Sequence, residues 1–236
     1  MIPWIEGETP FPPLHKALRH PNGLLAAGGD LSPARLLAAY SQGIFPWYSE
    51  GDPILWWSPD PRMVLFPEEI RVSRSLAKVL RNRAYEIRFD TAFDEVIAGC
   101  AAPRADQPGT WITAEMREAY VHMHRLGHAH SAETWIGGKL AGGLYGVALG
   151  AVFFGESMFS RERDASKIAL VALARHLLAG GFRLIDCQMH TEHLASLGAR
   201  AVTRRRFSQL LSELIDYPHH PGPWTEAGHI NKPCRN

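Results

Sequence analysis

The chain has 236 residues, 46% of them hydrophobic and 21% charged, and its formal net charge is +1. This composition excludes a disordered or low-complexity chain and suits a soluble globular protein, built as one large domain or as a small one joined to a medium one. No apolar run approaches the about 20 residues of a membrane span, Met1–Glu6 lacks the basic start and apolar core of a signal peptide, and the scattered Cys100, Cys187 and Cys234 point to a reducing cytoplasm.

Residues 1–62 read as a small N-terminal domain, rich in Pro, Trp and Gly and poor in regular period. Gly28-Gly29-Asp30 predicts a turn. Ser32-Pro33 predicts a helix start and Gly43 its end. The aromatic runs 43–48 and 54–57 suit a small core, a pocket or a base-stacking surface. Residues 63–236 are patterned more regularly. A short strand over 63–66 precedes a basic helix capped by Ser73 and ending near Asn82. A strand at 85–89, a helix over 92–100 and a loop from Pro103 to Gly109 follow. Thr113 reads as the N-cap of a helix closed by Gly127. Strands at 129–136, 139–147 and 151–158 are joined by Gly137-Gly138 and Leu149-Gly150, which predicts an antiparallel meander. Ser166 is expected to cap the next helix, Gly180-Gly181 to stop it, and 182–189 to form a further strand. A helix over 203–215 and an irregular tail beyond Pro218 complete the chain. The fold class is therefore α+β, a mostly antiparallel sheet with helices on it.

Two carboxylates break the core pattern. Glu156 stands in Phe153-Phe154-Gly155-Glu156-Ser157-Met158-Phe159, and Asp186 interrupts Leu184-Ile185-Asp186-Cys187-Gln188. A buried carboxylate is costly unless it is paired, so two such breaks in neighbouring strands point to a site. Asp186 and Gln188, two apart on a strand, are expected to share a face, with Cys187 on the other. A carboxylate orienting an amide makes an acceptor relay, although Gln cannot itself be a base. The 12 histidines, among them His219 and His220, show no zinc-like spacing with Cys, so no metal is expected. Ser157, Ser160 and Cys187 lack a nucleophile-elbow context. The cations Arg71, Arg74, Lys78, Arg81, Arg83 and Arg88 face only Glu86 between 71 and 88, a solvated face or a phosphate-binding one.

The motifs Phe-Phe-Gly-Glu-Ser-Met-Phe-Ser (153–160), Asp-Cys-Gln (186–188), His193 to Ala199, Gly-Ile-Phe-Pro-Trp-Tyr (43–48) and Trp-Trp-Ser-Pro-Asp-Pro-Arg (56–62) together resemble the leucyl/phenylalanyl-tRNA–protein transferases, from about Phe11 to Asp216. Tyr48 stands where the family commonly has Phe. The resemblance implies a small N-terminal domain joined to a catalytic domain of the GCN5-related acetyltransferase fold. It implies transfer of Leu or Phe, and Met less well, from aminoacyl-tRNA to proteins beginning with Arg or Lys, which marks them for the N-degron pathway. The protein would act as a monomer without membrane or cofactor. It further implies that Asp186 polarises Gln188, that Gln188 meets the incoming amine and that Glu156 holds the aminoacyl end. Leu144, Phe153, Gly155, Ser157, Leu170, Leu173 and Ile185 would line the side-chain pocket. Trp47 and Trp111 would stack on the terminal adenosine with Tyr40 and Tyr120 nearby, and Arg74, Lys78, Arg81 and Arg83 would hold acceptor-stem phosphates. Two other readings are an acetyl-CoA-dependent N-acetyltransferase and a non-catalytic tRNA- or N-terminus-binding module. The run Phe159–Ser166 has no glycine for a pyrophosphate loop, and the binding module leaves Asp186 and Gln188 without a purpose.

Overall fold

The computed structural model describes residues 2–103, 110–218 and 221–226. Residues 104–109 of the loop predicted from Pro103 to Gly109, together with His219, His220 and Cys234, lie outside the described residues. The N-terminal stretch, irregular in its sequence, contains a four-stranded sheet. Its strands β1 (Trp4–Ile5), β2 (Leu24–Gly28), β3 (Phe45–Pro46) and β4 (Leu55–Trp57) run in the order β1-β2-β4-β3. These strands are too short to impose a legible period. Aromatic packing holds them, with Trp56 fully buried and its indole N–H donating to the Gly28 carbonyl at 2.8 Å. Helix α1 (Pro33–Tyr40) begins as expected, Ser32 accepting from the Arg35 backbone N–H.

A seven-stranded sheet forms the rest. Its strands are β5 (Arg62–Leu65), β6 (Glu86–Phe89), β7 (Ala129–Ile136), β8 (Lys139–Leu149), β9 (Val152–Ser160), β10 (Leu184–Gln188) and β11 (Arg200–Val202). The order is β11-β5-β10-β9-β8-β7-β6. β7 to β9 form the expected antiparallel meander, and β6 pairs antiparallel with β7 at its edge. β10 lies parallel to β9 and antiparallel to β5, the crossover between β9 and β10 being made by α5 (Ala165–Ala179). Parallel neighbours need such a long return connection. Helices α2 (Arg74–Asn82), α3 (Phe93–Ala101), α4 (Ala114–Arg125), α6 (Glu192–Ser196) and α7 (Arg204–Leu214) complete the layers. Ser73 and Thr113 cap α2 and α4 as expected, each side chain accepting a backbone N–H three residues on.

The cap expected at Ser166 is not formed. Helix α5 starts at Ala165, two residues earlier than that cap implies, after Asp164 at φ 64°, and the Ser166 N–H donates to Ser160 Oγ at 3.2 Å. Apolar clusters lie on both sides of the sheet. Tyr40, Phe93, Tyr120, Tyr145, Phe154 and Phe207 belong to one, and Leu144, Phe153, Leu170, Leu173 and Ile185 to the other. Burial on both faces is why the strands read as continuous apolar runs. In the tail, Trp224 stacks on His130 with ring centroids 3.8 Å apart, and its backbone N–H donates to Asp90 at 2.8 Å.

Candidate active site

The site forms where β9 and β10 part. Their parallel ladder pairs Leu184 with Val152, Ile185 with Phe153 and Asp186 with Phe154, and goes no further. A second irregularity aims the first carboxylate: β8 and β9 change register between Tyr145 and Gly146, so Gly146 faces Gly155, Tyr145 faces Ser157, and Glu156 is the extra residue. Such a bulge re-aims a side chain.

Glu156 points to the tyrosine side and is buried. Tyr40 donates to its Oε1 at 2.8 Å, Tyr120 to its Oε2 at 2.9 Å, and the Gln188 amide nitrogen to Oε1 at 2.8 Å. The Tyr40 and Tyr120 hydroxyls also meet each other. Burial pushes the Glu156 carboxyl up to about 7, against the pull of its hydroxyl and amide donors. Burial, followed by the charge of Glu156, holds both phenols well above their ordinary range, so they remain donors.

Asp186 is bound differently. Arg62 grips it with two prongs, Nε to Oδ1 at 2.8 Å and Nη2 to Oδ2 at 2.6 Å, and neither side chain is more than 1% exposed. Oδ1 also accepts the backbone N–H of Gln188 at 2.9 Å. The expectation that Asp186 and Gln188 share a strand face fails here. The β5–β10 register shifts between these two residues, and Gln188 takes a left-handed backbone at φ 60°. Asp186 therefore holds the Gln188 backbone, while the carboxylate on the Gln188 amide is that of Glu156. Burial, then the Asp186 charge, pushes the Cys187 thiol up, so it stays protonated.

Leu144, Phe153, Leu170, Leu173 and Ile185 are all buried in the cluster on the α5 side. Gly155 shares that face with Phe153, being two residues on. A Cβ added to it would meet a single atom within 4 Å, the Asp186 carbonyl at 3.4 Å, so the space above it is open. Ser157, opposite Tyr145, belongs to the other face, because directly paired residues of adjacent strands lie on one side. Among the described residues no group of three His, Cys, Asp or Glu is placed to hold a metal.

A family model described as leucyl/phenylalanyl-tRNA protein transferase matches residues 64–212, and one for the N-terminal domain of the same proteins matches residues 29–60. The leucyl/phenylalanyl-tRNA–protein transferase of Chromobacterium violaceum is 64% identical over 95% of this chain and 96% of its own length. That of Nitrosospira multiformis is 64% identical over 95% and 97%. The chain belongs to the leucyl/phenylalanyl-tRNA protein transferase family. It is thus a tRNA–protein aminoacyltransferase. Among solved structures it is similar to a GCN5-related N-acetyltransferase from Kribbella flavida, at 10% identity over 71% of this chain and 60% of that one, with a TM-score of 0.37.

Several residues expected to face tRNA in this transferase family member have other partners. Tyr40 and Tyr120 are fully buried and spend their hydroxyls on Glu156. Trp47 is 39% exposed and packs edge-on against Trp57. Trp111 is half-buried. The neighbouring Tyr48 donates to Glu115 at 3.0 Å, which ties the segment of Trp47 to the start of α4, just after Trp111. Arg74, Lys78 and Arg81 are exposed on α2. Arg83 is committed to Glu162 and to the Arg163 carbonyl, and Arg88 to Glu86.

Sequence reasoning missed Arg62. It opens an apolar strand as oddly as Asp186 interrupts one, but its partner lies 124 residues away. A cation placed in one apolar strand and an anion in another was the available signal.

Proposed function

We propose that this chain transfers Leu or Phe, and Met less well, from aminoacyl-tRNA to proteins beginning with Arg or Lys. The product carries an N-degron. It acts as a cytoplasmic monomer with no metal or coenzyme, in two parts, a small N-terminal domain over 1–62 and a catalytic one over 63–236. The observation that supports this best is the parting of β9 and β10. There the Gln188 amide of one strand reaches the buried Glu156 of the other, and Gly155, next in sequence, leaves open space on the opposite face.

In this reading the ionised Glu156 pairs with the ammonium of the esterified amino acid, whose side chain enters the apolar cluster of Leu144, Phe153, Leu170, Leu173 and Ile185. Such a pocket discriminates by only about 1–3 kcal/mol per methylene, so some Met is transferred as well. The acceptor α-amine, with an ordinary pKa near 8, needs no strong base. It attacks the ester carbonyl, a tetrahedral oxyanion forms, the C–O bond to the ribose breaks, and the proton lost by the amine ends on the ribose oxygen. Because the Gln188 amide nitrogen is engaged by Glu156, its carbonyl oxygen is left to accept the attacking N–H. Positioning carries most of the acceleration. Trp47 and Trp111 stack on the terminal adenosine, and Arg74, Lys78 and Arg81 neutralise stem phosphates without reading sequence.

The test is single-turnover incubation with Leu-tRNA and a peptide beginning with Arg, read by mass. A leucyl-extended peptide is expected. An unextended peptide alongside acetyl transfer from acetyl-CoA would replace this reading with the acetyltransferase one.

A further inference from the structure

We infer that Arg62 is a positioning residue for the transfer, an inference that rests on the reading of Glu156 and Gln188 above. The chain of contacts is continuous. The guanidinium lies between the rings of Phe45 and Phe207, at 4.8 and 4.6 Å from their centroids. It grips both oxygens of Asp186, Asp186 Oδ1 holds the Gln188 N–H, and the Gln188 amide reaches Glu156. Phe45 belongs to the small sheet and Phe207 to α7, so three parts of the molecule set the place of one carboxylate.

Stability is a poor reason for this arrangement. Arg62 Nη1 is buried without a partner, and buried ion pairs that leave a donor unsatisfied add little over well-packed apolar residues. A two-pronged grip does supply geometry. Gln188 occupies a left-handed backbone region that is costly for a non-glycine residue and persists only when its surroundings over-determine it. Asp186, held rigid by Arg62, is the group that does so. A carboxylate free to rotate would release the Gln188 N–H and let the amide swing off Glu156.

The test removes the charge pair as a whole, so that no unpaired charge is left buried. In Arg62→Met/Asp186→Asn the protein is expected to keep its thermal midpoint and its KM for Leu-tRNA within about twofold. Its kcat should fall by about 100-fold, the order expected of an ångström-scale misplacement. Arg62→Lys keeps the charge but not the fork and should fall between. In a Gln188→Ala background the same substitutions should cost nothing further, because they act through Gln188. A folded pair variant with kcat within twofold of the parent, or one that loses as much again on the Gln188→Ala background, would overturn the inference and leave the pair merely structural. Full kcat in Gln188→Ala alone would overturn the reading of the site itself, and the inference with it.

Discussion

Glu156 and Asp186 are both buried carboxylates on adjacent strands, yet the fold treats them in opposite ways. Asp186 faces a fixed full charge, the Arg62 guanidinium. Glu156 faces two phenols and an amide. Burial alone favours the neutral acid and pushes the Glu156 carboxyl up to about 7, while the Tyr40 and Tyr120 hydroxyls and the Gln188 amide favour the anion. An arriving ammonium restores the charge. One carboxylate is built to stay put and the other to respond, and the lesson is that burial alone does not set the role of an acid.

The largest effect is expected on the fixed member. Asp186→Ala leaves Arg62 buried without its counter-charge and should destabilise the protein by about 3–5 kcal/mol in urea titration. A loss under about 1 kcal/mol would mean that Arg62 finds water or another acceptor, and the two acids would no longer differ in kind.

Next comes the pH response of Glu156. Its folded pKa of about 7 lies above the ordinary 4.5, so the folded state binds the extra proton between those values. Stability should then be highest below pH 4.5, as far as this group is concerned, and should decline as pH rises to 7. The upper bound is about 3 kcal/mol for a shift of this size. Glu156→Gln should flatten that decline in chemical denaturation at successive pH values while abolishing most transfer, since the ammonium has lost its partner. An unchanged slope in the variant would assign the pH dependence to other groups.

Smaller changes should follow from the phenols. Tyr40→Phe and Tyr120→Phe each remove one donor to the carboxylate and should each cost about 1–2 kcal/mol. Each loss makes the anion harder to form, so the rising limb of the pH–rate profile should move to higher pH. Movement to lower pH in either variant would break the account of how Glu156 is held.

The least effect is expected at Cys187, between the two acids' strand ends. Cys187→Ala should change stability by roughly 0.5–1 kcal/mol, within the usual range for a minor packing change, and leave single-turnover transfer near that of the parent. Complete inactivation of a folded variant would move the chemistry to the thiol.

Much of this contrast was legible from local chemistry. Ser32, Ser73 and Thr113 announce helix starts because a cap needs only a side-chain oxygen and a backbone N–H three residues on. The glycine turns of the β7–β9 meander are equally local, and so is the oddity of a carboxylate inside an apolar strand. What each carboxylate binds was not local. Tyr40 lies 116 residues from Glu156, and Arg62 lies 124 from Asp186. Nothing in the neighbourhood of either residue encodes such a partner.

The sequence by itself determined most element types beyond residue 62, the two polar interruptions of the core and the family, but not the short strands β1 to β4, helix α6 or strand β11. Periodicity, capping and motif order survive without knowledge of distant contacts. Only the tertiary structure decided that β10 enters between β9 and β5, that a bulge singles out Glu156, and that Gln188 turns left-handed toward it. Only it brought Trp224 from the tail onto His130. These outcomes depend on which surfaces meet when the layers close, and a one-residue shift of register is enough to send a side chain to the other face.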